Sequence, residues 1–457
     1  MNKKEIQHLY WRAGFGINPK HLEFLSSKTR KEVVADLFFQ SKEYAPLLID
    51  TSDFDTLTYE QFTKSKKIQR AYIKNSRDKI KELNHAWVDA ILYSDSVLRE
   101  KMTLFWANHF ACQDKMIMYV QKYNNTLREH ALGNFRDFVK AISREPSMIE
   151  YLDLKQNKKD TPNENFAREL MELFTLGVGN YTEKDIKESA KAFTGYNYDF
   201  EGSFEFNDNQ HNNEFKYVFG KAGRYDGDDI IDIILDQKTS AEFICKKLYR
   251  YFVNNQINQS HIDEMTQVFY PNYNIESVLH FMFSQDWFYS EEHIGNKIKS
   301  PIELIAGISQ VTPLSFKNTD QLIRIERMLG QILFYPPNVA GWKGGKNWID
   351  SNTLMLRLKL PSILLSNAKI ATNKKGEFYD SFNAYKKGKA TNTQFKTSSN
   401  WLAFKSNYQN VSTKELPQYI LQCSINKGTQ DYLETLSINN KQDYCVQLMS
   451  LPEYQMC

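Results

Sequence analysis

The sequence predicts a mainly α-helical protein, a multi-helical globular bundle that carries a small β-hairpin flap near residues 196–224. Three observations predict this fold class. Helix-start signals recur along the chain, and apolar residues repeat at helical spacing between them. Aromatic residues make up 14% of the 457 residues, which implies large interiors filled between helices. Residues 196–224 interrupt the helical pattern with short runs of β-forming residues separated by polar loops.

The overall composition excludes several classes of protein. Charged residues are 25% of the chain and the net charge is only +3, so no nucleic-acid partner is expected. No run of 18 apolar residues is present, so no transmembrane segment is expected. The five widely spaced cysteines argue against a disulfide framework and a cysteine zinc site. No secretory signal is visible, so the cytoplasm is the default location, with the envelope or periplasm as the alternative if a signal was removed.

Helices are predicted through most of the first 195 residues. Asn18-Pro19 starts one of them, and residues 59–93 carry a long charged and apolar pattern. The next helix places Trp106 and His109 on one face, because their spacing is close to one helical turn. A histidine beside a tryptophan is either a hydrogen-bonded core residue or a functional one.

The part of the chain after the flap returns to helices. Ser300 and Glu303 mark a clear helix start. Residues 334–350 form a loop rich in proline and glycine, which either packs over an opening of the core or lines a site. Residues 371–400 are polar and are predicted to be a mobile insertion. No break in composition divides the chain, so we predict a single helical domain over residues 1–457.

The most informative stretch is TPNENFARELMELFTLG at residues 161–177. Thr161 and Glu164 are spaced as a capping box at the start of a helix, and Gly177 is placed to end it. The pattern predicts a buried polar cluster on this apolar helix, which is either a structural network or an active site. Helical spacing puts four polar side chains on one face: Asn165, Arg168, Glu169 and Glu172.

Six blocks of sequence are distinctive: HLYWRAGFG at 8–16, FWANHF at 105–110, LREHALGNFRDF at 127–138, PNENFARELMELFTLGVGNYTEKD at 162–185, DGDD at 226–229 and FYPPNVAGW at 334–342. Together they resemble the bacterial family catalogued as domain of unknown function 1800, over nearly the whole chain from His8 to Gln455. The resemblance implies no established reaction. It does imply a set of hallmark polar positions, which are Arg12, His109, Asn163, Glu164, Asn165, Arg168, Glu169 and Glu172 here.

Two further properties follow from this resemblance. Members of the family often have W-H-N-H-F in the tryptophan motif, whereas Ala107 replaces the first histidine here, which argues against a mechanism that needs both. Members are often exported and encoded beside sulfatase- or phosphatase-like proteins, which points to the envelope.

Two mechanisms fit the polar cluster if it is catalytic, with His109, Arg168, Glu169 and Glu172 as the catalytic residues. In the first, His109, Glu169 and Glu172 bind a divalent metal ion. In the second, one glutamate is a general acid or base, His109 shuttles the proton and Arg168 binds an anionic group. The sequence has no G-x-S-x-G, Walker, H-E-x-x-H or Rossmann motif, so serine-nucleophile, nucleotide and zinc-protease chemistry lack support.

The sequence therefore predicts an enzyme acting on an anionic or polar substrate by acid–base or metal-assisted chemistry. The alternative is a non-catalytic envelope or scaffold protein, in which the cluster is a structural salt-bridge network. A small molecule, a glycan or a protein is the expected partner, and the cofactor and oligomeric state stay open. Helices 96–111, 117–132 and 162–176 are expected to form the site, under the flap and the 334–350 loop. The predicted substrate-binding residues are Arg12, Trp106, Arg128, His130, Asn165, His211 and Trp342.

Overall fold

Helices account for most of the computed structural model, which describes residues 1–54, 57–372, 391–435, 438 and 440–457. In the first half of the chain the helices are Lys3–Ala13, Pro19–Ser26, Arg30–Gln40, Tyr59–Lys64, Lys66–Tyr93, Val97–His109, Ile117–Glu129, Phe135–Ser143, Pro146–Tyr151, Asn165–Glu169 and Glu183–Ala192. In the second half they are Gly227–Leu235, Lys238–Phe252, Gln259–Phe269, Ile275–Ser284, Pro301–Val311, Thr319–Leu329, Ser351–Leu365, Trp401–Asn407, Leu416–Ile420, Lys427–Thr435 and Lys441–Met449. The predicted mainly α class is confirmed.

The strands form small two-stranded antiparallel sheets. In the predicted flap, Tyr196–Tyr198 pairs with Phe204–Phe206, and Lys216–Val218 pairs with Lys221–Gly223. The prediction of a small β-hairpin flap near residues 196–224 is therefore confirmed, as two separate hairpins. Later in the chain the paired strands are Leu314–Phe316 with Thr397–Ser399, and Lys369–Thr372 with Thr391–Gln394.

Two large hydrophobic clusters fill the interior. One is built from residues between Ile6 and Tyr289, and the other mainly from residues between Ile302 and Cys457. The Val97–His109 helix serves both clusters, because Trp106 belongs to the first and Leu104 to the second. The number of domains stays a prediction.

Residues 373–390, most of the predicted mobile insertion, lie outside the described residues. The strands Lys369–Thr372 and Thr391–Gln394 pair on either side of them. Within the described part of the chain, no helix combines the length and the apolar character needed to cross a bilayer.

The central helix, residues 165–175, begins later than the sequence predicts. The capping box expected between Thr161 and Glu164 is wrong, because the helix starts at Asn165 and Glu164 lies just before it. Asn163 supplies the polar side chain at this end, since its Oδ1 accepts the backbone N–H of Asn165 at 2.9 Å. Gly177 follows the helix with φ at 82°, the left-handed conformation that the sequence predicts.

The second half of the central helix is wider than an α-helix. Leu170–Thr175 is a π-helical segment, in which each turn holds more than the usual 3.6 residues. A Cβ atom at Gly177 would lie 2.8 Å from the ring of Phe243, which packs against the end of this segment. The C-terminal end of the central helix is therefore fixed against the Lys238–Phe252 helix.

Candidate functional site

The π-helical segment ends on two backbone carbonyl groups that bond to side chains from other helices. Leu173 O accepts a hydrogen bond from Lys247 Nζ at 2.7 Å, and Phe174 O accepts one from His109 Nε2 at 3.0 Å. The last carbonyl groups of any helix lack partners within the helix, and the negative end of its dipole favours donors and cations. Lys247 and His109 therefore cap the central helix.

Lys247 and His109 also contact each other, with Lys247 Nζ 3.0 Å from His109 Nδ1. Because a carbonyl oxygen can only accept, Nε2 of His109 carries the ring proton and Nδ1 accepts from Lys247. A neutral amine has two N–H groups, and Leu173 O and His109 Nδ1 take both. The lone pair of a neutral Lys247 is then left for another molecule.

The surroundings favour the neutral forms of both side chains. Burial, together with the nearby charge of Lys247, holds the pKa of His109 well below its ordinary value of 6.5. Burial, with a smaller contribution from the charge of Arg250, lowers the pKa of Lys247 to about 7. Near neutral pH, Lys247 is thus divided between amine and ammonium, and such a group can exchange protons at that pH.

A cavity of about 410 Å³ opens beside this pair of side chains. His109 and Lys247 form part of its wall, together with the cationic side chains of Arg250 and Lys297. Burial lowers the pKa of Lys297 to about 8, and its Nζ donates to the backbone carbonyl of Tyr251. This volume lies in the range of about 300–1,000 Å³ that is usual for small-molecule sites.

The cavity is basic in character. Among the described residues of the cavity wall, Glu303 is the one carboxylate, and it is buried and already paired with Lys101. Although burial by itself raises the pKa of Glu303, the charges of Lys101 and Lys297 hold it well below its ordinary value. Because Glu303 is already paired with Lys101, it is not a counter-charge for Arg250 and Lys297 alone. A bound anion would therefore be stabilised in the cavity.

One wall of the cavity is the 334–350 loop, which Asn108 holds in place. The side chain of Asn108 accepts the backbone N–H of Trp342 at 2.7 Å and donates to the carbonyl of Trp342 at 3.3 Å. Gly341 has φ at 76°, and a Cβ atom there would lie 2.2 Å from Asn108 Oδ1. Only glycine allows so close an approach, so this loop both packs on the protein and lines a cavity.

Replacing Gly341 by alanine is expected to lower the free energy of unfolding by about 1–3 kcal/mol, because the new methyl group must displace Asn108 and the backbone is strained. Urea unfolding measures the loss, and amide hydrogen exchange over residues 334–350 is expected to accelerate. Gly344→Ala is the matched control, since a Cβ atom there meets no atom within 4 Å. Equal stability of the two variants would show that the Asn108 clamp does not hold the loop.

The polar stripe of the central helix, which consists of Asn165, Arg168, Glu169 and Glu172, lies in a different environment from the buried one that the sequence predicts. Arg168 binds Glu183 through two hydrogen bonds of 2.9 Å, and it lies 3.1 Å from Glu164 and 3.6 Å from Glu172. The side chain of Arg168 is 33% exposed and that of Glu172 is 25% exposed. The expected burial of the stripe is therefore wrong: Glu183, at the start of the next helix, meets Arg168 at the protein surface.

The predicted metal ligands do not form a site. Both ring nitrogens of His109 are occupied, by Phe174 O and Lys247, so neither is free for a metal ion. In the described ranges of the chain, no group of three or more His, Cys, Asp or Glu side chains is arranged to hold one. Burial, with a smaller contribution from the charge of Glu172, raises the pKa of Glu169.

Three other predicted residues make buried structural contacts. The guanidinium of Arg12 donates to the carbonyl groups of Phe252 and Val253 at 3.2 and 3.1 Å, at the C-terminal end of the Lys238–Phe252 helix. Arg128 forms a buried ion pair with Glu100. The remaining one, the fully buried Trp106, donates through Nε1 to the carbonyl of Ala131 at 3.0 Å and stacks on Phe110 and Phe135.

The last three predicted residues do not line this cavity. The ring of His130 stacks on Phe138 with 5.3 Å between centroids. Nδ1 of His211 lies 2.9 Å from the carbonyl of Thr194, at the base of the flap. Asn165 is the first residue of the central helix. The cavity thus brings together two of the predicted residues, His109 and Trp342.

The most important residue that the sequence prediction missed is Lys247. A signal for it is present: Phe243, Lys247 and Tyr251 follow one another at four-residue spacing, so a lysine lies between two aromatic residues on one helical face. A lysine in that position is expected to be at least half-buried. Its partner His109 could not be identified from the sequence, because 138 residues separate the two.

The fold and the site together define a multi-helical protein with small hairpins, in which a buried lysine–histidine pair caps a π-helical segment beside a basic cavity. The chain belongs to the family described as Protein of unknown function (DUF1800), whose sequence profile matches residues 8–456. Neither the curated proteins nor the solved structures include one that matches the chain significantly.

Proposed function

We propose that this protein is an enzyme in which Lys247 acts as a general base on a small anionic substrate bound in the 410 Å³ cavity. The observation that carries the proposal is the hydrogen-bond pattern of Lys247. Leu173 O and His109 Nδ1 accept its two N–H groups, which leaves the lone pair of the neutral amine to take a proton. His109 is a positioning residue, because Phe174 O fixes its tautomer and orientation.

The charge of the cavity supports an anionic substrate. Arg250 and Lys297 contribute positive charge to the wall, and a carboxylate, phosphate or sulfate group bound between them would lie beside Lys247. Trp342 adds an apolar surface on the same wall. The substrate class agrees with the anionic substrate that the sequence predicts, whereas the base is a lysine instead of a glutamate. Catalytic roles for Arg168, Glu169 and Glu172 stay predictions.

Anion binding tests this proposal without knowledge of the natural substrate. Inorganic phosphate, sulfate, acetate and citrate are titrated into the full chain, and the unfolding midpoint is measured. At least one of them is expected to raise the midpoint, since a ligand that binds only the native state stabilises it. The Lys297→Met and Arg250→Met variants are expected to lose this response. Lys246→Met is the control, because Lys246 pairs with Glu242 at 2.6 Å on the same helix.

A scaffold function is the second candidate, and one observation favours it. Lys247 and His109 satisfy the terminal carbonyl groups of the central helix, which is a sufficient structural reason for both. In that case Lys247→Met would cost stability, and none of the four anions would shift the unfolding midpoint of the wild type. That pair of results would contradict the enzyme proposal and support the scaffold.

A further inference from the structure

A second and larger cavity, of about 1,300 Å³, lies on the side of the flap hairpin that carries Tyr198 and Phe200. The hairpin forms one wall, and several contacts hold it there. Tyr119 donates to the carbonyl of Phe200 at 2.9 Å, and the ring of Phe200 packs on Phe62 with 5.3 Å between centroids. We call this cavity the aromatic cleft. Sites for drug-sized ligands reach about 1,000 Å³, so the cleft has room for a longer, chain-like molecule.

Seven aromatic side chains line the cleft, and two of them have ring faces that no other described ring covers. Tyr151 and Tyr335 are half-buried in the wall and make no ring–ring contact with another described residue. Gln113 lines the same cleft and donates through Nε2 to the carbonyl of Pro336, the residue after Tyr335, at 2.9 Å. The two rings and the amide of Gln113 are therefore part of the wall of one cavity.

Tyr59 also lines the cleft; it is 63% exposed and meets the ring of Phe200 edge-on with 5.9 Å between centroids. Single exposed aromatic residues are common on protein surfaces, so Tyr59 supports a binding site only together with the other rings of the cleft. Aromatic faces pack well against sugar rings, because the C–H groups of a sugar form an apolar face and its hydroxyl groups lie at the edge.

The cleft offers several hydrogen-bond acceptors. Glu150 accepts from the hydroxyl of Tyr198 at 2.8 Å, and Glu201 and Glu205 on the hairpin are exposed. Burial, with a contribution from the charge of Glu150, raises the pKa of Asp114 at the floor. The lining contains five carboxyl groups and three cationic side chains, so the cleft gives no net attraction to an anion.

From the unstacked rings, the acceptor groups and the size of the space, we infer that the aromatic cleft binds a neutral carbohydrate chain. Sugar rings would stack on Tyr151 and Tyr335, and their hydroxyl groups would donate to the carboxylates and to Gln113. The inference goes beyond the proposed function, because it concerns a different cavity and needs no role for Lys247. A cationic peptide is the competing ligand, and the cleft's mixture of charges favours it less than the carbohydrate.

Calorimetric titration of the full chain with cellohexaose, chitohexaose and maltohexaose tests this inference. At least one is expected to bind, and Tyr335→Ala and Tyr151→Leu are each expected to raise its Kd at least tenfold. Tyr151→Leu keeps most of the apolar volume, so it is expected to fold. Tyr432→Ala is the control, since Tyr432 is an exposed tyrosine outside the cleft, and it is expected to leave Kd unchanged.

Salt distinguishes the two classes of ligand. The Kd for the carbohydrate is expected to change less than twofold between about 50 and 500 mM NaCl, because no charge is neutralised on binding. Over this range the Debye length falls below about 10 Å, so a contact between charges would weaken. Hexalysine is titrated in parallel. Failure of all three oligosaccharides to bind would overturn the inference, as would tight, salt-sensitive binding of hexalysine that Glu201→Gln weakens.

Discussion

Replacing Glu303 by glutamine is expected to lower the free energy of unfolding by about 3–5 kcal/mol, because it leaves buried cations without their counter-charge. Glu303 pairs with Lys101, and both side chains are less than 5% exposed. Its charge also acts on Lys299, Arg357 and Arg12, which are buried. Glutamine has nearly the same shape as glutamate, and its side-chain oxygen can still accept a hydrogen bond from the backbone N–H of Ser300. The substitution therefore removes the negative charge and little else.

Urea unfolding at pH 7 measures this loss, with Glu291→Gln as the control. Glu291 forms a surface ion pair with Lys4 and is 80% exposed, so its replacement is expected to cost less than about 1 kcal/mol. The difference between wild type and Glu303→Gln is expected to narrow below pH 4.5. The folded-state pKa of Glu303 is depressed, so its contribution is complete above the unfolded value and is lost as the pH falls. A loss no larger than that of Glu291→Gln would contradict the account.

Replacing Lys247 by methionine is expected to lower kcat/KM by about 10²–10⁴-fold on a substrate of the cavity, the usual contribution of a general base. Nitrophenyl esters that carry a carboxylate, phosphate or sulfate group are suitable probes. In the wild type, kcat/KM is expected to rise with pH and level off above about 7, because only the unprotonated amine of Lys247 accepts a proton. Methionine keeps the apolar length of the side chain and removes the amine.

Lys246→Met is again the control, since Lys246 lies on the same helix and pairs with Glu242. It is expected to keep the wild-type rate and pH profile. If Lys247→Met still turns over one of these esters, a residue other than Lys247 is the general base. Turnover that falls equally in both lysine variants would mean that the helix, and not the amine, is responsible.

Local features of the fold were predictable from the sequence. The helix start at Ser300 and Glu303 forms as the spacing predicts, as a capping box whose two partners lie within one turn of chain. The flap also forms where β-forming residues replace the helical pattern. In each case the interacting groups are close in sequence, so the pattern alone contains the information.

The site was less predictable, because its geometry depends on contacts between distant segments. The central helix starts at Asn165, where the side chain of Asn163, and not that of Thr161, accepts the first backbone N–H. The exposure of Arg168 depends on where Glu183 returns to meet it. Both helices of the Lys247–His109 pair could be predicted, but their relative placement depends on packing in the core, which spacing does not encode.

The direct test of the central claim is the pH dependence of Lys247 acetylation in the folded full chain. Brief pulses of acetic anhydride at pH 5 to 11, followed by peptide mass spectrometry, give the reactive fraction of this amine, because only the neutral form reacts. The account predicts half-maximal labelling near pH 7, suppressed by an anion that fills the cavity. Half-maximal labelling near 10.5, the ordinary value for lysine, with no protection by any anion, would contradict it.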